Sequence, residues 1–349
     1  MYKYVEMRFY NILRLWRGKM PWSLKFLGIW GMHLARRRMI GIYIDPVLGC
    51  NLRCRMCYFS DPEKRKDMHG VMAESQLSLA RKALFHRALK LQIGCGAEPT
   101  LYPRLESIVR AGHEARIPYI SLTTNGQLIA SGKISLENLV GAGLNEITLS
   151  MHGTSATVYE ELMPGAKYDC LIRLLGIIAD VRKRYPDFVV RVNFTVNSLN
   201  KEDLKGDRFF SVWPEGCLPD IVQLRPVQNL GESDWKDFDP DPLISDYDAT
   251  IGNVVRLCRG KGITCIAPTL GDLGEVATPQ GGYEALLESV SYCYISPHMC
   301  YKSDFDPAGD TYESYHRRHG TARSLFAAIF RRPGSRTRNV SKKLNYKIR

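Results

Sequence analysis

No stretch of the 349 residues approaches the roughly 20 uncharged apolar positions that a membrane-spanning helix requires. The nearest candidate, residues 22–35, is short and carries Lys25 and His33. The Arg36-Arg37-Arg38 run after it stands where a signal peptide would show a small-residue cleavage site, so a cytoplasmic protein is expected. Acid is missing from the end of the chain: residues 314–349 hold eleven Lys/Arg and no Asp or Glu. Residues 1–40 hold nine Lys/Arg against one Glu, so the formal +12 splits as +8 and +11 at the ends and −7 on the body between them. A dedicated nucleic-acid binder would be basic over its body, and this chain is not. No internal repeat is present, and the 45% hydrophobic content is ample for a sizeable core.

Ten cysteines are present, three of them within eight residues. In a cytosolic chain of this size, crowded cysteines more often bind metal or do chemistry than form disulfides. The segment Asp45-Pro46-Val47-Leu48-Gly49-Cys50-Asn51-Leu52-Arg53-Cys54-Arg55-Met56-Cys57 is a C-x3-C-x2-C pattern. Its three thiolates can converge on one centre if the loop curls. Iron–sulfur clusters usually take four thiolates. A set of three leaves one iron open, and a small molecule with an amine and a carboxylate can chelate it. Two other readings compete. Buried cysteines acting as small apolar side chains fit poorly, because Asn51, Arg53 and Arg55 lie between them. Zinc would need a fourth ligand from far away, such as His69 or Cys95.

The middle of the chain alternates β-type runs (42–47, 89–93, 119–123, 146–150, 189–196 and 221–224) with helical patterns (75–88, 105–115, 136–142, 170–185 and 201–209). Such alternation predicts βαβ units with a parallel sheet, either an open barrel or a doubly wound sheet, with ligands at the carboxyl ends of the strands. A helical stretch at 247–261 and a strand-like run at 262–267 follow, and from there to residue 312 the pattern is irregular.

The cysteine loop resembles the C-x3-C-x-aromatic-C signature of the radical S-adenosylmethionine (SAM) superfamily, with Met56 where an aromatic is usual. The resemblance implies that Cys50, Cys54 and Cys57 hold a [4Fe–4S] cluster and that Met56 packs on the SAM adenine, aided by Tyr58 and Phe59. Gly94-Cys95-Gly96-Ala97-Glu98-Pro99-Thr100 resembles the family's G-G-E-P element, which implies SAM contacts from Gly96, Ala97 and Glu98, the Glu98 carboxylate accepting from the SAM ammonium. Thr123-Thr124-Asn125-Gly126 is similar to its T-N-G element, and Ser150-Met151-His152-Gly153 to its S-x-D-G segment. These imply cofactor contacts from Asn125 and Ser150, while His152 replaces an acid and is expected to pack. The family arginine near Met163 is absent, which leaves Arg191 or Arg225 to pair with the SAM carboxylate.

The resemblance thus implies an α/β protein with a partial (β/α)6 TIM-like barrel. Residues 1–40 form a basic amphipathic extension, 41–230 the radical SAM core, 231–313 a C-terminal extension and 314–349 a basic, partly disordered tail. The extension resembles a shortened or degenerate auxiliary-cluster region of peptide-modifying relatives, with Cys265, Cys293 and Cys300 as conceivable ligands. The N-terminal segment, with Trp16, Trp22, Phe26, Leu27, Trp30 and Leu34, suits either a helix packed on the barrel or a peripheral contact with an anionic membrane. The expected activity is reductive SAM cleavage and hydrogen abstraction from a peptide or small-molecule substrate, with a one-electron donor such as flavodoxin or ferredoxin as partner. A non-catalytic zinc or iron–sulfur regulator, or an RNA-interacting protein using its basic ends, are the alternatives.

Overall fold

The computed structural model of the chain describes residues 21–227, 241–273, 282–330 and 347–348. Its strands β1 (Ile40–Ile44), β2 (Ala88–Ile93), β3 (Tyr119–Thr124), β4 (Glu146–Ser150), β5 (Val189–Val196), β6 (Ile221–Pro226) and β7 (Thr264–Ala267) are all parallel and lie side by side in chain order. A doubly wound sheet reverses strand order at a switch point, and this one does not. The sheet is therefore wound in one direction, as a barrel is, but it stays open. β8 (Tyr292–Ser296) pairs parallel with β1, β9 (Met299–Tyr301) pairs antiparallel with β8, and β10 (Lys347–Ile348) pairs antiparallel with β7 at the other edge.

The two faces of the sheet differ in chemistry. Along β5, Val190, Val192, Phe194 and Val196 are fully buried under the helices, while Val189, Arg191, Asn193 and Thr195 point to the concave side. Each large apolar side chain so buried is worth about 2 kcal/mol. Helix α6 shows the complementary pattern. In the order α1 (Trp22–Leu34), α2 (Glu74–Leu84), α3 (Leu105–Glu114), α4 (Leu136–Gly141), α5 (Ala156–Leu162) and α6 (Tyr168–Arg184), it is the longest. It buries Leu171, Leu174, Leu175, Ile178 and Val181 on one stripe and ends at Tyr185, just before Pro186.

Strands β2 to β6 fall within two residues of their expected places, and β1 ends at Ile44 rather than at Val47 because the chain turns at Asp45-Pro46. The run 201–209 is a 3-10 turn, Lys201–Leu204, and a short helix, Arg208–Ser211, rather than one helix. The stretch expected to be irregular after residue 267 contains α8 (Gly282–Ser291), which follows α7 (Ile251–Gly260), and the strands β8 and β9. The tail expected to be partly disordered begins with α9 (Tyr312–Arg318) and α10 (Thr321–Phe330), while residues 331–346 lie outside the described residues.

The first and last described helices pack on each other. α1 buries Phe26 and sets Trp30 against Phe326 of α10, ring centroids 5.2 Å apart. Residues 22–34 form a helix packed on α10, and Trp16 lies outside the described residues. Arg38 fixes the entry to β1 by donating to the carbonyls of Phe85, Ala88 and Ala115 at 3.0, 3.0 and 2.7 Å.

Candidate active site

Loops at the carboxyl ends of β1, β2 and β3 meet at one point. Asp45, directly after β1, is buried, and its carboxylate accepts from the backbone N–H groups of Cys95 (2.7 Å) and Gly96 (3.1 Å) and from the Tyr294 hydroxyl (2.9 Å). It thereby ties the cysteine loop, the loop after β2 and strand β8 together. Gly94 opens the second loop at φ +80, and a Cβ there would lie 2.6 Å from the Thr123 carbonyl oxygen, so glycine is required.

The cysteine loop curls because other backbone groups hold it. Arg53 and Arg55 donate their N–H groups to the carbonyls of Pro164 and Leu162 at 2.9 and 3.0 Å, Cys57 N–H bonds Cys54 O at 2.9 Å, and Glu98 N–H bonds Gly49 O at 2.9 Å. The segment 159–165, expected only to lack an arginine, is thus the clamp of this loop. All three thiols are half-buried, and burial pushes Cys50 up to about 12 and raises Cys54 and Cys57 as well. Cys54 is raised further by the charges of Cys57 and Cys50. Three half-buried thiols whose ionised forms burial disfavours are a donor set that a cationic centre would favour as thiolates.

Among the described residues no three His, Cys, Asp or Glu side chains are grouped as ligands of one metal ion. Nor do the fourth zinc ligands considered above gather here. His69 stacks edge-on against His298 at 5.9 Å, and Cys95 lines the barrel cavity.

Glu98 is buried and raised by desolvation, and its carboxylate accepts from Thr100 N–H (3.1 Å), Thr100 Oγ1 (2.5 Å), Thr124 Oγ1 (2.7 Å) and Asn125 N–H (2.8 Å). The carboxylate expected to meet the SAM ammonium is therefore already engaged in joining two loops. Asn125 bonds Asn51 Oδ1 at 2.9 Å and stands 4.0 Å from Cys50 Sγ, so it borders the cysteine loop. Met56, Gly96, Ala97 and Ser150 are half-buried around the same mouth. Tyr58 donates its hydroxyl to Gly96 O, while Phe59 is buried.

Sequence reasoning left Arg191 and Arg225 open, and the structure separates them. Arg191 lies in the first half of β5 and makes a two-pronged ion pair with Glu146 at 3.0 and 2.9 Å, at the start of β4 and away from the cysteines. Arg225 is level with Thr195 near the carboxyl ends of the strands, close enough to His152 to lower its pKa. With its amide turned to accept, Gln223 holds Arg225 at 3.0 Å. His152 packs, as expected: it is buried, its Nδ1 accepts from Thr195 N–H at 3.0 Å, and burial first, then Arg225, lowers it to about 4. Below the mouth a cavity of about 610 Å³ runs along the concave face of the sheet, lined among others by Lys90, Cys95, Thr123, Glu146, Asn193 and Arg225. Sequence reasoning missed this interior, whose only signal was polar residues alternating with apolar ones in β2 to β6.

The conceivable ligands of a second cluster do not come together. Cys265 is buried in β7 and hydrogen-bonded to Cys258 of α7, whereas Cys293 and Cys300 sit on β8 and β9, beyond the other edge of the seven-strand run.

Residues 44–208 match the family model of the radical SAM superfamily. The chain carries a radical SAM domain. Domains of this superfamily use a [4Fe–4S] cluster and SAM. Among curated relatives, a probable GTP 3′,8-cyclase of Saccharolobus solfataricus is 28% identical over 214 residues, covering 61% of this chain and 65% of its own. One of Metallosphaera sedula is 27% identical over 184 residues, covering 53% and 55%. The match thus spans less than two thirds of these relatives. The fold is shared with Streptococcus suis SuiB bound to S-adenosylmethionine, at TM-score 0.53 and 16% identity over 76% of this chain and 62% of that one. The match covers the cysteine loop and strands β2 to β5.

Proposed function

We propose that Cys50, Cys54 and Cys57 hold three irons of a [4Fe–4S] cluster and that the protein is a SAM-cleaving enzyme acting on a small polar substrate. The observation that carries this reading is the placement of three half-buried free cysteines in one loop at the carboxyl end of β1, beside the loops after β2 and β3. When bound, the cluster and SAM supply a one-electron cleavage to methionine and a 5′-deoxyadenosyl radical that takes hydrogen from a substrate carbon. The chain's own residues position and shield. Asn125 and Asp45 fix the loops around the mouth, Met56 and Tyr58 offer a soft and an aromatic surface to the adenine, and Arg225 offers a planar cation to a carboxylate.

The size of the barrel cavity, about 610 Å³, suits a metabolite rather than a folded peptide. Asn193 adds an acceptor there, its Oδ1 buried and without a hydrogen-bond partner among the described residues. A nucleoside triphosphate is the first substrate class to test, since the curated relatives are named as probable GTP 3′,8-cyclases. A one-electron donor of the flavodoxin or ferredoxin kind completes the scheme.

The test is oxygen-free reconstitution with iron and sulfide, followed by metal content and dithionite-dependent 5′-deoxyadenosine release with and without GTP. About four irons per chain and SAM cleavage support the reading. Zinc without cleavage, or cleavage retained after Cys→Ala at positions 50, 54 or 57, overturns it.

A further inference from the structure

The helices α1 and α10 take no part in the site above, yet they pack together on one face. α1 buries Phe26 and turns Leu24, Leu27 and Leu34 outward, at spacings that share one side of a helix. α10, packed beside it, turns out Phe326 and Phe330, the latter 72% exposed, and the Trp30, Phe326 and Phe330 rings form a chain of contacts. Five large apolar side chains exposed on two adjoining helices are the mark of a surface made to be covered.

A cavity of about 540 Å³ borders this stripe, lined by residues that follow α1 and by α9 and α10. Two of its arginines are occupied: Arg87 pairs with Glu313 at 2.8 Å and Arg318 with Asp310 at 2.7 Å. Arg36, Arg317 and Arg323 are exposed and have no acidic partner among the described residues. Residues 331–349 add eight Lys/Arg and contain no Asp or Glu, so nothing in that stretch can neutralise them.

We propose that this face docks on an anionic lipid bilayer, with the apolar stripe at the acyl boundary and the three arginines on lipid phosphates. Guanidinium forks match phosphate oxygens in pairs, and basic residues beside exposed leucines and phenylalanines suit the interface plane. A second copy of this chain is a poor occupant, because a two-fold contact would set the same arginines against each other. No helix among the described residues is long and apolar enough to cross a membrane, so the contact is peripheral. Arg36 precedes β1 and Arg87 precedes β2, whereas the cysteines follow β1. Docking therefore leaves the cluster mouth at the opposite ends of the strands, open to reductant and substrate.

The experiment sediments the full-length, cluster-loaded protein with vesicles of phosphatidylcholine alone or mixed with phosphatidylglycerol. Partition onto the mixed vesicles is expected, weakening as salt is added. Each of Arg36→Gln, Arg317→Gln and Arg323→Gln should reduce it roughly fivefold. Leu27→Ser combined with Phe330→Ser should reduce it further at high salt, and all of these variants should keep SAM cleavage. No partition onto the mixed vesicles overturns the proposal. So does undiminished partition of the triple arginine variant, which would place the contact elsewhere in the basic ends. Pyrophosphate binding without vesicle binding would mark a soluble phosphate site instead, and a homodimer lost on Leu27→Ser with Phe330→Ser would mark a self-interface.

Discussion

The Glu98 carboxylate accepts the backbone N–H of Asn125 at 2.8 Å and so joins the loop after β2 to the loop after β3, the two walls of the cysteine pocket. Its other oxygen gathers Thr100 and Thr124. A buried carboxylate with four donors is costly to bury but more costly to alter, since every donor would lose its partner.

Glu98→Gln keeps the volume but turns an NH2 group toward a donor. The change should destabilise the protein by about 2 kcal/mol and reduce both iron retention and 5′-deoxyadenosine release. Thermal unfolding and iron content, measured on the same preparation, check it.

Arg87→Met should loosen the join between the two ends of the chain. Arg87 is 1% exposed, donates to Arg37 O at 2.8 Å, pairs with Glu313 and lies 4.6 Å over the Tyr312 ring. Removing one partner of such a pair costs about 3 kcal/mol. Urea unfolding should show that loss, with SAM cleavage at low temperature unchanged.

Stability should fall as pH drops from about 6.5 toward 4. His152 is buried neutral, and desolvation lowers it from 6.5 to about 4. Between those values the unfolded chain takes up a proton that the folded chain does not, so the stability is present above 6.5 and lost progressively below it. The sum is about 3 kcal/mol. Unfolding free energy measured across this range should show the slope, and His152→Gln should remove its share, while His316, which burial lowers to about 3, and His33, lowered by burial too, keep the remainder.

Replacing Cys265, Cys293 and Cys300 together by Ala should leave iron at about four per chain. Cys265 is separated from the other two by the run of parallel strands, so they share no site. An iron content that falls by half in this variant would show that they do.

The order of strands β2 to β6 was legible because each is a run of apolar or alternating residues closed by a turn signal. The cysteine loop was legible because the spacing of its ligands is local: Cys50, Cys54 and Cys57 lie within eight residues. Strands β8 and β9 were not, since five and three residues carry no usable period and the pairing of β8 with β1 spans some 250 positions. Asp45 was missed for the same reason, its partners being Cys95, Gly96 and Tyr294.

Taken by itself, the sequence determined the parallel α/β class, the three-thiol loop and the polar turns around it, all of which rest on neighbours in the chain. The tertiary structure alone decided that Glu98 binds loops rather than open space, that Arg225 and not Arg191 sits near the mouth, and that α1 and α10 share a face. The reason is physical. Which polar group meets which across dozens of residues is set by packing and desolvation in the folded state, where an unsatisfied buried group costs more than any local preference returns.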